Sequence, residues 1–300
     1  MNEQMLWLAT ITLLAATVNG ALGYGFSSIT VPLALLFLSN RVLNPALIII
    51  EVPLNAYVLW VNRASLGAVW RRVAPMIVGL VPGVLAGTFM LSSVSPDWLK
   101  FGTYLVLLPL ILLQAAGFRR PIKSERSAGL VFGAGVGVLY SVTTISGPPL
   151  AIALNNQGFA KQEFRAALGI IRLAESSMTA VAYAYAGLYS LSSMSLIPVI
   201  LPSLAIGVPI GAQLIRHIRP ETFRRICMSF DAWIVGFGLS GVLRQLHLVE
   251  SNAAYLLFAG VALLDIWLLY RFFSALPANA GVSASAPTEA ANQKPATEHP

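Results

Sequence analysis

The chain has 300 residues, of which 57% are hydrophobic and only 10% charged, with a mean hydropathy of +0.75. A water-soluble globule carries about 25% charged residues, so this composition excludes one and implies a polytopic membrane protein. The formal net charge of +7 comes from Lys and Arg scattered over short inter-helix segments, the distribution of topogenic charges and not of a nucleic-acid interface. The single cysteine, Cys227, rules out an internal disulfide, and His217, His247 and His299 are too dispersed for a metal site. No cofactor is expected. The first basic residue is Arg41, so the N-terminal apolar run lacks the basic flank of a cleaved signal peptide and is expected to be retained as a membrane segment.

In chain order, the first apolar stretch, residues 5–38, is interrupted by glycines and serines before Pro32 and predicts two short helical arms around an irregular turn. Uninterrupted spans follow at 43–61, 73–91 and 96–118. A second broken stretch covers 128–154, interrupted before Leu150 by hydroxyl residues and a Gly-Pro-Pro run. Further spans lie at 164–187, 194–215, 223–243 and 253–273, each long enough for a helix of about 20 residues to cross a bilayer. Beyond Leu276 the Ala, Pro, Ser and Thr composition predicts a disordered tail.

The order of features repeats. Pro32-Leu33-Ala34 matches Pro149-Leu150-Ala151, Gly20 matches Gly137, Glu51 matches Glu175, and Pro75 and Pro82 match Pro202 and Pro209 at identical spacing. The predicted fold class is therefore all-α, with two repeats, each a broken-helix hairpin plus three transmembrane helices, and one extra C-terminal helix. The expected divisions are 1–122, 123–250, 251–276 and a cytoplasmic tail at 277–300. With each broken stretch returning to its own side, fifteen Lys and Arg fall on one face and only Arg41, Lys100 and Arg244 on the other. That split follows the positive-inside rule, puts the N-terminus outside, and makes the repeats inverted in topology, as in secondary transporters.

Backbone that leaves helical geometry at membrane depth must be buried in protein or line a polar cavity, and the start of the next helix then attracts an anion. Asn19, Gly23, Gly25, Ser27, Ser28 and Thr30 at the first break, with Thr144, Ser146 and Gly147 at the second, are the expected anion cradle. The same serines can instead cap the half-helices. Ionisable residues in apolar spans are Glu51, Arg172, Glu175, Asp231 and Asp265. Each costs at least about 2.5 kcal/mol at a span centre, so a function is the starting assumption. Arg172 and Glu175 stand three apart, which allows a local ion pair, or Arg172 offers its fork to a sulfonate or carboxylate. Glu51 has no basic neighbour one helical turn away and is the first candidate for proton coupling, with Glu175 second. Asp231 and Asp265 carry lower weight.

The glycine-rich interrupted segment from Asn19 to Pro32, its counterpart from Gly133 through Gly147-Pro148-Pro149, and the Pro-Glu-Thr-Phe-Arg-Arg stretch at 220–225 resemble the TauE/SafE family of sulfite-exporter-like permeases. The resemblance extends over roughly residues 5–270 and implies export or uptake of small sulfur-containing anions. The expected function is thus a secondary transporter, an exporter of sulfite or organosulfonates, proton-coupled and working by alternating access. The expected partners are a small inorganic or organic anion, protons, the lipid bilayer of a bacterial inner (plasma) membrane and a second copy of the chain. Competing readings are an anion channel, a permease for another small carboxylate, or an intramembrane enzyme. The last is disfavoured because no histidine lies within a span to activate Ser27.

Overall fold

The computed structural model describes residues 3–22, 25–116, 125–156, 159, 161–215 and 220–280. Among them all regular structure is helical. The first unit contains α1 (Glu3–Leu22), α2 (Phe26–Ala34), α3 (Asn40–Val61), α4 (Leu66–Ser93) and α5 (Pro96–Ala115). The second contains α6 (Glu125–Thr143), α7 (Gly147–Asn156), α8 (Lys161–Tyr185), the single turn α9 (Leu191–Met194), α10 (Ile197–Leu214) and α11 (Pro220–Gln245), and α12 (Tyr255–Ala280) follows. Local chemistry sets several ends. Pro96 and Pro220 open α5 and α11 at the position where a missing N–H costs nothing. α8 stops at Gly187, whose φ of 65° lets its N–H reach Ala184 O while Leu188 N–H reaches Tyr183 O, the paired bonds of a Schellman cap. His247 closes α11 in the same way at φ 55°.

Seven helices among the described residues are long and apolar enough to cross a membrane: α1, α3, α4, α5, α10, α11 and α12. Large apolar side chains such as Val78, Leu85, Phe89, Leu256, Leu263 and Tyr270 are exposed. In water that surface would drive aggregation, whereas in lipid it is the expected outer face. The chain is a multi-pass all-α membrane protein. The span expected at 164–187 is α8, which Lys161, Glu163, Arg165, Arg172 and Glu175 make too polar to stand among the seven. α1, expected as a short arm, is instead 20 residues long, about 30 Å at 1.5 Å per residue. α2 and α7 are the short arms, with 9 and 10 residues.

Two helix pairs hold the units together. α1 lies along α10, with Ser203 bonding Ala9 O and Gly207 and Gly211 seated on Leu13 and Thr17. α4 lies along α6, with Gly79, Gly83 and Gly87 against Leu130, Ala134 and Val138, and Gly133 and Gly137 against Met76 and Leu80. The registers rise together, so both pairs run parallel. At most of these glycines the nearest facing atoms are backbone, at Gly87 the Ser141 hydroxyl and at Gly207 the Ala16 Cβ, and a Cβ would overlap them. The glycines every fourth residue let backbones approach closely, which in lipid replaces the hydrophobic drive to associate. Each pair joins the broken segment of one unit to the second long helix after the break of the other.

Hydrogen bonds place the hairpin ends. Arg41, at the start of α3, donates to Leu91 O, Ser92 O and Val94 O at the end of α4. Just beyond, Asp97 at the start of α5 accepts from Gln245 at the end of α11. α10 therefore ends on the opposite face, where α11 starts, and α1 running parallel to α10 enters from the Arg41 face. α2 leads back to that same face. α8 runs antiparallel to α3, with Gly169 against Leu59 and Asn55 bonding Arg172 O, so the α6–α7 hairpin opens on the other face.

Pro32 is the seventh residue of α2, and Pro148 and Pro149 occupy the first turn of α7. Two expectations about charge and tail change. Arg225, counted above among the loop charges, is buried inside α11 and paired with Asp265, leaving the direction of the split unaltered. Residues 277–280 continue α12, and the remainder of the expected tail, 281–300, lies outside the described residues.

Replacing Gly83 or Gly211 with Leu should destabilise the protein by about 1–3 kcal/mol or more through overpacking. Gly102→Ala, on α5 where a Cβ meets nothing within 4 Å, should be neutral or stabilising. Thermal unfolding in detergent reads the difference, and equal effects at the three positions would contradict the glycine-seam packing.

Candidate functional site

Each half-helix presents a serine at its beginning, and each serine meets a glutamate of its own unit. Gly25 precedes α2 at φ 106°, a conformation that glycine adopts without strain. Ser27, in the first turn, donates its hydroxyl to Glu51 Oε1. In the second unit Thr144 takes φ 57° without glycine's freedom, an uncommon backbone geometry that marks a constrained site. Its hydroxyl bonds Thr143 O at 2.7 Å, and the Thr143 hydroxyl accepts from Ile145 N at 3.0 Å, bridging the turn. Ser146, at the head of α7, then donates to Glu175 Oε2 at 2.5 Å. Two of the hydroxyls expected to wait for a substrate, those of Ser27 and Ser146, are thus held by the protein's own carboxylates.

Glu51 is the centre of the cluster. It is fully buried and accepts a further hydrogen bond from the Tyr140 hydroxyl of α6 at 2.5 Å. Arg172 Nη2 of α8 lies 3.7 Å from Glu51 Oε1. The ion pair of Arg172 therefore crosses to α3, where the spacing on α8 had suggested a partner three residues away. Arg172 Nε and Glu175 Oε1 are both buried without a hydrogen-bond partner, so the cluster has unused capacity on both the cationic and the anionic side.

A polar stripe on α3 ties the cluster to the other unit. Asn40 Nδ2 and Asn44 Nδ2 both donate to Val142 O, at 3.1 and 2.5 Å, just before the second break. Asn55 Nδ2 lies 3.3 Å from both Arg172 O and Ser176 Oγ. Asn40, Asn44, Glu51 and Asn55 follow one another at intervals of four, seven and four, a single helical face in an otherwise apolar span. That spacing is the signal by which the asparagines were findable, and Tyr140 had no such signal.

The remaining expected residues fall as follows. Asn19 is buried in the last turn of α1, Thr30 is buried in α2 with its hydroxyl unpartnered, and Gly147 is buried at the start of α7. Ser28 and Gly25 line a cavity of about 30 Å³ that Pro148 of the other hairpin also lines, which brings the two breaks together. Gly23 lies outside the described residues. Among the described residues no group of three His, Cys, Asp or Glu gathers as for a metal.

The signature of the sulfite exporter TauE/SafE proteins matches residues 8–239, from α1 almost to the end of α11. The chain belongs to the sulfite exporter TauE/SafE family. A relative described as "Probable sulfite/organosulfonate exporter TauE", from Cupriavidus necator, is 27% identical over 176 residues, 57% of this chain and 67% of its own length. No solved structure matches the chain. The family is one of transporters, and no catalytic role falls to the buried serines.

A second buried ion pair provides a contrast. Arg225 Nη2 meets Asp265 Oδ1 at 2.9 Å, and Arg225 Nη1 donates to Ser229 Oγ at 2.9 Å, tying α11 to α12. At hydrogen-bonding distance this pair is a structural tie, whereas the 3.7 Å separation at Arg172 is a looser attraction in which Glu51 keeps two other donors. Removing one partner of a close buried pair costs about 3–5 kcal/mol. Arg225→Met should therefore destabilise the protein by that order, and Arg172→Gln by clearly less, measured by denaturant unfolding in detergent. The reverse order would show that the Arg172–Glu51 contact is a fixed structural tie.

Proposed function

We propose that this chain is a secondary transporter, an exporter of small sulfur-containing anions such as sulfite or organosulfonates, that works by proton-coupled alternating access with the anion bound at the two broken-helix tips. The observation that carries the reading is the ring of donors on Glu51: Ser27, Tyr140 and Arg172 together. These are the groups that an oxyanion needs, a permanent planar cation, a hydroxyl at a helix start and a phenolic hydroxyl. In the closed arrangement the Glu51 carboxylate takes the place of the anion.

Protonating Glu51 removes its charge and with it the attraction for Arg172. The guanidinium, which stays charged, then favours an incoming anion, so proton and anion bind cooperatively. Glu175 does the same for Ser146 in the second unit. Because both serines are the first polar groups of short buried helices, the helix dipoles add partial positive charge without another fixed cation, which keeps release possible.

Several features favour alternation between two faces. The hairpins open to opposite faces, and each unit is seamed to the other by the same kind of parallel glycine contact, which supports inverted-topology repeats rocking about the breaks. The charge split supports an N-terminus outside and a C-terminal tail in the cytoplasm of a bacterial inner membrane. A homodimer is part of the same reading.

Transport into proteoliposomes tests it. Wild type should exchange labelled methanesulfonate across the bilayer and accumulate it when a pH gradient is imposed. Glu51→Gln, a mimic of the protonated state, should keep exchange and lose gradient-driven accumulation. Gly147→Glu, which sets a negative charge at the second tip, should bind no anion while remaining folded. Unchanged accumulation by Glu51→Gln would refute the coupling assignment, and normal transport by folded Gly147→Glu would refute the anion site.

A further inference from the structure

Among the described residues, Asp231 is the acid near the hairpin tips that neither the Glu51 cluster nor the α11–α12 tie employs. It lies on α11, is 7% exposed, and its Oδ1 has no hydrogen-bond partner. It lines the cavity of about 30 Å³ that also touches Gly25 and Ser28 of the first tip and Pro148 of the second. Among the described residues the lining contains no Lys, Arg or His, and its other ionisable group is the Cys227 thiol one helical turn away. The charged groups of neighbouring elements are engaged elsewhere: Arg225 with Asp265, Glu51 with Ser27, Tyr140 and Arg172, and Glu175 with Ser146. On α5, the Tyr104 hydroxyl donates to Pro32 O.

A carboxylate in such a place has neither a counter-charge nor a full set of hydrogen bonds, and it faces the point where the two tips converge. An anion there and an ionised Asp231 repel one another in a setting that water screens poorly. We propose that Asp231 is a proton-binding site of the transport cycle, neutral while an anion occupies the tips and ionised when the site empties. The inference rests on the anion reading given under Proposed function and adds a second acid, on a different helix, to its coupling. A metal cation is the less suitable occupant. The cavity holds about one water, and among the described residues Asp231 and Ser28 are the lining side chains with oxygen ligands, where hard cations such as Ca²⁺ and Mg²⁺ gather about six or more oxygens.

Infrared difference spectroscopy between acid and alkaline pH on the purified full-length protein reads the proton directly, because a protonated carboxyl absorbs apart from a carboxylate. Wild type should show a protonated-carboxyl component that Asp231→Asn lacks and Glu51→Gln retains. Spectra of wild type and Asp231→Asn that coincide would overturn the proposal, as would a component displaced by Na⁺ at constant pH. Methanesulfonate, whose charge is constant over the range, supplies the second arm. Wild-type affinity should fall by up to about tenfold per pH unit for each proton taken up on binding as the pH rises. Asp231→Asn should show a markedly shallower dependence, and one as steep as wild type overturns the coupling. A protein that keeps the Asp231 component but binds no methanesulfonate retains the proton site and overturns the anion reading beneath it.

Discussion

Backbone that leaves helical geometry inside a bilayer has no water to turn to, and the rest of this structure follows from meeting that demand twice. The two breaks are buried among helices that close on them from both units. Asn40 and Asn44 reach across to Val142 O ahead of the second break, Thr143 and Thr144 satisfy the turn from within, and Tyr104 takes the carbonyl of Pro32 in the first half-helix. Such close burial requires backbones that nearly touch, which the glycines of α4, α6 and α10 permit. Packing and site are one problem: the seams that seat α1 and α6 also fix where the half-helix starts point.

Those starts are where charge gathers. An isolated carboxylate or guanidinium in the apolar interior is costly, by several kcal/mol per ion even after relaxation. The protein holds two buried ion pairs with different geometries. Arg225 and Asp265 meet at 2.9 Å and join α11 to α12 at the periphery. Arg172 and Glu51 stand at 3.7 Å between α8 and α3, one from each unit, beside the hydroxyls of Ser27 and Tyr140. The wider pair is the one placed to exchange partners. In the proposed reading a substrate anion competes with Glu51 for the same donors, which would give proton coupling a physical basis without any large rearrangement of charge.

Much of the architecture is legible in the sequence because apolar length and broken periodicity are local properties. The spans at α3, α4, α5, α10, α11 and α12 and both breaks follow from runs of apolar residues and from Gly, Ser and Pro. The site is legible in its members but not in its pairings. Ser27, Ser146, Glu51, Glu175 and Arg172 are all singled out by burying polarity in apolar segments. Which serine meets which glutamate depends on how each half-helix packs on the helix that follows it, and that Arg172 turns to Glu51 depends on the contact between α3 and α8, more than a hundred residues apart. Tyr140 is hidden for a different reason, since a tyrosine in a membrane helix is ordinary until its hydroxyl is seen on Glu51. Asp231 carried low weight because the sequence does not reveal that α11 borders both tips.

The central claim, that the Glu51 carboxylate and the anion share one set of donors so that the anion binds as Glu51 is protonated, is tested most directly by counting protons as the anion binds. Calorimetric titration of the purified protein with methanesulfonate, in buffers of differing ionisation enthalpy, reports net proton uptake at each pH. The account predicts uptake on binding near neutral pH, reduced in Glu51→Gln, with binding itself abolished or strongly weakened in Arg172→Gln. Anion binding of full strength with no proton uptake in the wild type would contradict it.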